Sequence, residues 1–146
     1  MAKMNKAMRQ TIPMEILMTG KRAALKQLGK EKDFPGCYVL LNKRKPFYVG
    51  ISKSVFARLT QHVKGKTHYD ASLAYRMACD REPHKLHRSS AMQNARFQIA
   101  FERAKRELRS MKAAVIEIRN PLERYAFEIF CAMRCRTGQY NSFDTH

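Results

Sequence analysis

Residues 36–51, which read GCYVLLNKRKPFYVGI, are the most informative stretch of the chain. Two short apolar segments rich in β-branched and aromatic residues, 36–41 and 47–51, flank a polar and basic connection that ends in Pro46. Apolar runs of this length, separated by a short polar connection, predict a β-hairpin.

The hairpin and the segment after it are expected to bring four polar side chains together. If the connection holds an odd number of residues, Tyr38 and Tyr48 project from one face as diagonal neighbours, and Gly50 lies about opposite Tyr38. Residues 52–63 then show a helical pattern. The apolar stripe of this helix consists of Val55, Phe56, Leu59 and Val63. Arg58 and His62 are four residues apart, so they lie on one flank of that stripe.

The order and spacing of these residues resemble the GIY-YIG nuclease domain. Gly-Cys-Tyr at 36–38 is followed ten residues later by Tyr-Val-Gly at 48–50, and Arg58 comes ten residues after Tyr48. The pair Arg58 and His62 is similar to the Arg-x-x-x-His of several members. Near the C-terminus, Glu128 and Asn141 resemble the family's metal-binding Glu and its closing Asn, with one residue more than usual between them. The resemblance covers roughly residues 34–64 and 111–146.

The expected fold is α/β, with a small, mostly antiparallel three-stranded sheet flanked by helices. Residues 34–146 form the GIY-YIG-like domain, with the strongly apolar 111–118 as its third strand. A helical insertion at about 66–110 precedes that strand. Its longest helix has a predicted apolar face of Phe97, Phe101, Ala104 and Leu108. Residues 1–33 are expected to form a basic, partly helical N-terminal arm.

The resemblance implies a metal-dependent endonuclease that hydrolyses phosphodiester bonds in DNA. Tyr38 would act as general base or as the phenol that orients the attacking water, and Tyr48 would support it and touch the phosphate. A free tyrosine titrates near 10, so a phenolate at Tyr38 needs nearby cations such as Lys53.

Four further residues receive roles from the same resemblance. Arg58 would grip the scissile phosphate as a planar bidentate donor, and His62 would hydrogen-bond a phenol or the phosphate. Glu128 would hold one Mg²⁺ or Mn²⁺ ion, a hard cation suited to carboxylate and water ligands. Asn141 would fix the floor of the site by hydrogen bonds.

Each of these residues also has a purely structural interpretation. The tyrosines could be ordinary sheet aromatics, Arg58 a surface charge, and Glu128 half of a salt bridge. The alternative function is therefore a non-catalytic basic nucleic-acid-binding module on the same scaffold. Such a module would be expected to lose Arg58 or Glu128 first, and the sequence retains both.

The charge of the chain points to a polyanionic partner. The formal net charge is +17 on 146 residues, and neutralising phosphates releases condensed counterions, which favours binding. DNA, duplex or branched, is the expected partner, and the oligomeric state is left open. From charge alone, a solubility surface or ribosome association is the alternative. The residues expected to bind nucleic acid are Lys53, Arg96, Arg103 and Arg106.

A cytoplasmic location without a membrane partner is expected. No apolar run approaches the roughly 18–20 residues of a membrane span, and the N-terminus lacks the apolar core of a signal peptide. The four cysteines form no Cys-x-x-Cys pair and fall at apolar positions, so they are predicted to be buried free thiols in a reducing compartment. Alternatively, Cys131 and Cys135 could share a metal with a histidine.

The last helix is predicted to begin at Asn120-Pro121-Leu122-Glu123, with an N-cap, a proline at the first position and a glutamate at the third. Glu123 is therefore assigned a capping role. The predicted core stripe of this helix consists of Leu122, Tyr125, Ala126, Ile129 and Met133. Glu128 lies off that stripe, on a flank shared with Cys131 and Cys135. Asp144 and His146 are further potential metal ligands.

Overall fold

The predicted hairpin forms the centre of the sheet, with strands β2 (Gly36–Asn42) and β3 (Lys45–Ser52). The computed structural model describes residues 2–142. Its other elements, in chain order, are α1 (Ala2–Arg9), β1 (Ile12–Pro13), a 3₁₀ helix (Met14–Met18), α2 (Lys21–Gln27), α3 (Val55–Lys64), α4 (Ser72–Arg81), α5 (Arg88–Gln93), α6 (Ala95–Arg109), β4 (Lys112–Glu117) and α7 (Pro121–Cys135).

The sheet has four antiparallel strands in the order β1-β4-β2-β3, so the prediction of three strands was wrong by one. The additional strand, β1, pairs Ile12 with Ala113 on β4. Next to this pair, the Met14 N–H donates to the Met111 carbonyl at 2.9 Å. A strand of two residues is too short to show the alternation by which strands are recognised.

Successive strand residues point to opposite faces of a sheet, and the two faces of this sheet have separate cores. On the first face Tyr38 and Leu40 pack with apolar residues of α2, α3, α4, α6 and the 3₁₀ helix. On the second face Cys37, Val39 and Val49 pack against residues of α1 and α7. The first face carries the larger core, and it is the face that holds the two tyrosines of the hairpin.

Residues 2–33 are basic and partly helical, and their apolar residues reach both cores. Met4 of α1 packs on the second face, while Met14 and Leu17 are fully buried on the first. At the end of this segment the Asp33 carboxylate accepts hydrogen bonds from the Phe56 and Ala57 N–H groups, both at 2.9 Å. The Asp33 carboxylate therefore caps the N-terminus of α3, although Asp33 lies outside the helix. This contact fixes the start of the helix that carries Arg58 and His62.

The insertion between α3 and β4 consists of α4, α5 and α6. Helix α6 begins at Asn94, whose side-chain oxygen accepts the Phe97 N–H at 3.1 Å. The predicted apolar face of α6 is confirmed, since Phe97, Phe101, Ala104 and Leu108 are all buried. This face packs in the first core together with α4. The insertion therefore extends the tyrosine face of the sheet.

The predicted core stripe of α7 was wrong, because Leu122, Tyr125, Ile129 and Met133 are exposed. The helix instead turns Cys131 and Ala132 toward the second face of the sheet, and both are buried. Both sides of α7 carry apolar residues, so periodicity alone gives no preference for one side. None of the helices within residues 2–142 is long and apolar enough to cross a bilayer.

Candidate active site

The centre of the candidate site is a hydrogen bond between Tyr38 and His62. The Tyr38 hydroxyl lies 2.7 Å from His62 Nε2, and both side chains are buried. Tyr38 faces Gly50 across the hairpin, as predicted. A Cβ atom at position 50 would overlap the Tyr38 hydroxyl, so only glycine leaves room for this ring. The glycine of the Tyr-Val-Gly segment thus has a packing role in the site.

Tyr48 completes what we call the tyrosine–histidine cluster (Tyr38, Tyr48 and His62). It pairs with Leu40 across the hairpin and is a diagonal neighbour of Tyr38 on the same face, as predicted. Its ring centroid lies 6.3 Å from that of Tyr38 and 5.9 Å from that of His62. Tyr48 is 9% exposed and Tyr38 only 1%. Tyr48 is therefore the phenol with more access to solvent.

Burial suppresses charge on the two inner members of the cluster. Burial, and then the neighbouring Tyr48, raise the pKa of Tyr38 well above 10, although Arg58 acts in the opposite direction. Burial, followed by the charges of Arg58 and Arg76, lowers the pKa of His62 to about 3. At neutral pH the pair is therefore an uncharged phenol and an uncharged imidazole, and a phenolate at Tyr38 is disfavoured.

His62 has one buried nitrogen without a hydrogen-bond partner. Its Nε2 is taken by Tyr38, while Nδ1 has no partner among the described residues. Leaving a buried polar atom unpaired costs about 1–3 kcal/mol. Such atoms are rare in native proteins, and a catalytic role is one explanation for them.

Arg58 is held by the first turn of the insertion's helix α4 and the loop before it. Its guanidinium donates to the Asp70 carbonyl and to the Ser72 hydroxyl, both at 2.8 Å, and to the Gln61 side chain at 2.9 Å. It lies close enough to the cluster to influence the pKa values of Tyr38 and His62. The helix α3 thus supplies Arg58, and the insertion holds it in place.

A second guanidinium, Arg76, reaches the cluster from α4. Its central carbon lies 5.7 Å from the centroid of the Tyr48 ring, and it donates a hydrogen bond to the Tyr140 carbonyl. Sequence reasoning missed Arg76 because no motif contains it. The available signal was that Arg76 is the only charged residue in the run 71–79, which is otherwise mostly apolar. Packing of α4 on the first face brings it over Tyr48.

Asn141 attaches the C-terminal segment to the edge of the sheet. Its side-chain oxygen accepts the Val49 N–H at 3.0 Å, and its side-chain nitrogen donates to the Val49 carbonyl at 2.6 Å. Val49 stands between Tyr48 and Gly50 on β3. The buried amide of Asn141 therefore satisfies both backbone groups of Val49 on this edge strand and holds the strand that carries Tyr48.

Glu128 is not brought together with the cluster, because α7 lies on the opposite face of the sheet. The pKa of the neighbouring Cys37 is raised by the adjacent Cys131 thiol, by burial and also by the charge of Glu128, which places Glu128 beside Cys37. Burial raises the pKa of Glu128 itself. No hydrogen bond or ion pair of this carboxylate occurs within residues 2–142.

The chemistry of Glu128 fits a hard divalent cation. A half-buried carboxylate without a cationic partner has a desolvation cost that a metal ion can offset. In the part of the chain that the structure describes, no group of three or more His, Cys, Asp or Glu side chains could hold a metal. Glu128 would thus be a single protein ligand, and water molecules would supply the other ligands, since Mg²⁺ usually keeps several waters. Asp144 and His146 lie outside the described residues.

The residues expected to bind nucleic acid lie on the surface. Lys53 is exposed just before α3, and Arg96, Arg103 and Arg106 are exposed on α6. Arg96 pairs with Glu82 at 3.4 Å. Arg103 and Arg106 make no ion pair within residues 2–142, so their charges remain available to a polyanion.

The family model for the GIY-YIG catalytic domain matches residues 34–114, which is more than half of the chain. The match begins just before β2 and ends within β4. It includes Tyr38, Tyr48, Arg58 and His62 together with the insertion, and it ends before Glu128 and Asn141. Neither the curated proteins nor the solved structures contain a significant match to the chain.

Proposed function

Because the chain belongs to the GIY-YIG family, which implies a nuclease acting on nucleic acid, we propose that it is an endonuclease that hydrolyses phosphodiester bonds in DNA with Mg²⁺ or Mn²⁺. The observation that carries the proposal is the approach of two guanidinium groups, Arg58 and Arg76, to the tyrosine–histidine cluster. Guanidinium groups are suited to bind a phosphate with two parallel hydrogen bonds. The net charge of +17 supports a polyanionic substrate. The free cysteines support a cytoplasmic location.

In the proposed mechanism the two arginines bind the scissile phosphate and stabilise the charge that develops on it. Arg58 makes three hydrogen bonds within the protein, which leaves two of the five guanidinium N–H groups for a phosphate. Positioning and electrostatic stabilisation of this kind supply most of the rate enhancement in phosphoryl transfer.

Tyr48 is the phenol that we assign to the reacting groups, and Tyr38 becomes a positioning residue. Tyr48 retains access to solvent and lies next to Arg76, so its hydroxyl can orient the attacking water. Tyr38 is fully buried and holds the His62 ring through their hydrogen bond. Water then forms the new bond to phosphorus and loses one proton to solvent, while the bond to the leaving oxygen breaks and that oxygen takes up a proton from solvent.

Glu128 is the carboxylate that would hold the divalent ion, whose chemistry when bound would be stabilisation of negative charge. Because α7 lies on the opposite face of the sheet from the tyrosine–histidine cluster, no step at the scissile phosphate is assigned to that ion. Asn141 keeps β3 in place, so Tyr48 and Gly50 hold their positions on the edge strand.

The proposal is tested by incubating the protein with supercoiled plasmid and with branched DNA, with and without Mg²⁺ or Mn²⁺. Arg58→Ala should reduce the cleavage rate by about 10²-fold or more, as for the loss of one transition-state donor. Glu128→Ala should reduce it by a similar factor through loss of the divalent ion. The fold and most of the DNA affinity should be retained. Arg22→Ala, an exposed arginine on α2, and Glu123→Ala, on the same helix as Glu128, are the matched controls. Cleavage by the Arg58 or Glu128 variant near the wild-type rate would reject the assigned site.

A non-catalytic nucleic-acid-binding module is the second candidate. It is favoured by the burial of Tyr38 and His62 and by the position of Glu128 on the other face of the sheet. Tight, salt-sensitive binding of DNA without cleavage of either substrate, with either metal, would select this function. Divalent-dependent cleavage that disappears in the Arg58 variant would exclude it.

A further inference from the structure

Helix α7 presents large apolar side chains to solvent along most of its length. These residues, which we call the α7 stripe, are Leu122 (78% exposed), Tyr125 (61%), Ile129 (45%), Phe130 (42%) and Met133 (74%). Most of them lie on the side of the helix away from Cys131, which packs on the sheet. Isolated exposed apolar residues are normal, whereas a contiguous stripe marks an interaction surface.

The area of the α7 stripe is sufficient for a specific interface between two copies. Large apolar side chains offer roughly 150–250 Å² each, so five at these exposures present on the order of 600 Å² per copy. Two copies would bury about 1,200 Å² in total, which lies at the lower end of stable interfaces. The stripe is therefore at the upper limit of the largest apolar patch on a typical monomer, which is about 300–600 Å².

The charge of α7 indicates which partner can cover the stripe. The chain carries +17, but α7 contains two acidic residues, Glu123 and Glu128, and two basic residues, Arg124 and Arg134, so its net charge is zero. A nucleic acid or an anionic membrane would be attracted to lysines and arginines flanking the stripe. Arg124 is buried, so Arg134 is the only exposed basic side chain of this helix. Two strongly basic copies, by contrast, repel each other least where their surfaces are neutral.

We propose that the α7 stripe is a homodimer interface in which two α7 helices pack antiparallel about a two-fold axis. Four of its five residues are placed symmetrically along the helix in this orientation, because Leu122 and Met133, and Tyr125 and Phe130, are equidistant from a point between residues 127 and 128; Ile129 mirrors Ala126. Leu122 then meets the partner's Met133, and Glu123 lies near the partner's Arg134. An interface of this kind uses the same patch on both copies, as two-fold dimers require.

The dimer would leave both candidate sites open. The tyrosine–histidine cluster lies on the first face of the sheet and α7 on the second, so pairing of the helices directs the two clusters outward. The inference rests on the exposed stripe and holds whether or not the chain is a nuclease.

The test is sedimentation velocity of the full chain over a concentration series, without nucleic acid. The wild type should show a monomer–dimer equilibrium. Leu122→Glu and Met133→Lys should each weaken the dimer about tenfold or more, because an unpaired charge is unfavourable in an apolar interface. A tenfold change in Kd corresponds to about 1.4 kcal/mol of binding free energy. Ile99→Lys, which changes an exposed isoleucine on α6, should leave the equilibrium unchanged.

The double variant Leu122→Glu/Met133→Lys tests the orientation. In an antiparallel pair each new glutamate faces the partner's new lysine, so dimerisation should be restored. In a parallel pair the like charges would face each other, and restoration would fail. Circular dichroism should show unchanged folding, since both positions are exposed.

A monomer at all concentrations, or single variants that dimerise like the wild type, would overturn the proposal. Failure of the double variant to restore dimerisation would overturn the antiparallel arrangement. Binding of monomers to anionic vesicles that is lost in the same single variants would assign the stripe to a membrane surface instead.

Discussion

Burial between two arginines and the sheet keeps the His62 imidazole neutral. Its pKa is about 3 in the folded protein, whereas an unfolded histidine titrates near 6.5. Between about pH 3 and pH 6.5 the unfolded chain therefore binds a proton at His62 more readily than the folded chain does. The contribution of His62 to stability is therefore fully present above about pH 6.5 and is lost as the pH falls toward 3.

The free energy of unfolding should accordingly fall more steeply with acid in the wild type than in His62→Gln. A single group of this kind contributes up to about 1.4 kcal/mol per pH unit. Urea unfolding between pH 7.5 and 4 at one protein concentration measures both slopes. The exposed His87→Gln variant should follow the wild type. Parallel curves for the wild type and His62→Gln would contradict this description of the histidine.

The turn of the central hairpin stores backbone strain at two residues. Lys43 and Arg44 have φ values of 47° and 69°, which is the left-handed region that non-glycine residues enter at a cost of roughly 1–2 kcal/mol each. A two-residue hairpin turn of this geometry strongly favours Asn-Gly. The double variant Lys43→Asn/Arg44→Gly should therefore raise the free energy of unfolding by about 1 kcal/mol or more.

Differential scanning calorimetry should record this gain as an increase in Tm of a few degrees. Lys45→Asn is the matched control, because Lys45 lies in β3 outside the left-handed turn, and it should give no increase. A decrease in Tm for the double variant would show that the lysine and arginine side chains stabilise the turn by contacts of their own.

Among the elements, the start of α7 depends on Asn120 rather than on Glu123. The Asn120 side-chain oxygen accepts the N–H groups of Leu122 and Glu123, at 2.9 and 3.1 Å. The Glu123 carboxylate makes no hydrogen bond within residues 2–142, so the capping role predicted for it was wrong. The predicted N-cap and the proline at the first position are confirmed.

Asn120→Ala should therefore lower the free energy of unfolding by about 1 kcal/mol, as for other lost N-caps. Asn120→Asp should retain most of the wild-type free energy of unfolding. Glu123→Ala should lower it by only a few tenths of a kcal/mol, through the lost interaction with the helix dipole. Chemical denaturation of the three variants provides the comparison. A larger loss for Glu123→Ala than for Asn120→Ala would reverse the assignment.

For the whole molecule, the proposed DNA binding should depend steeply on salt. In duplex binding, log K falls with log[salt] by about 0.9 per phosphate neutralised. Converting Arg96, Arg103 and Arg106 together to Gln should weaken binding to all sequences and reduce this slope. The single-turnover cleavage rate at saturating enzyme should stay unchanged, because these side chains lie outside the tyrosine–histidine cluster.

Fluorescence anisotropy with a labelled duplex at several salt concentrations measures the slope. A variant with Arg22, Lys26 and Lys32 converted to Gln removes the same number of charges from the surface of α2 and the segment after it. An equal effect in both variants would assign the salt dependence to net charge. An unchanged slope in the α6 variant would place its basic face away from the DNA.

The sequence by itself determined the features that depend on neighbouring residues. The hairpin sequence predicted the shared face of Tyr38 and Tyr48 and the position of Gly50 on the condition that the connection holds an odd number of residues. The turn itself holds two residues, Lys43 and Arg44, and a register shift between Leu40 and Leu41 restores the predicted pairing. The stripe of α3 and the start of α7 followed in the same way from helical spacing and capping. These local patterns also identified the family.

Only the tertiary structure decided which surfaces meet. The strand β1 pairs with a segment about 100 residues away, and a two-residue strand has no periodic signal. Arg76 reaches Tyr48 because α4 packs on the first face of the sheet. Helix α7 has apolar residues on both sides, so contact with the sheet, and not periodicity, determines which side is buried. That choice places Glu128 beside Cys37 and leaves the α7 stripe in solvent.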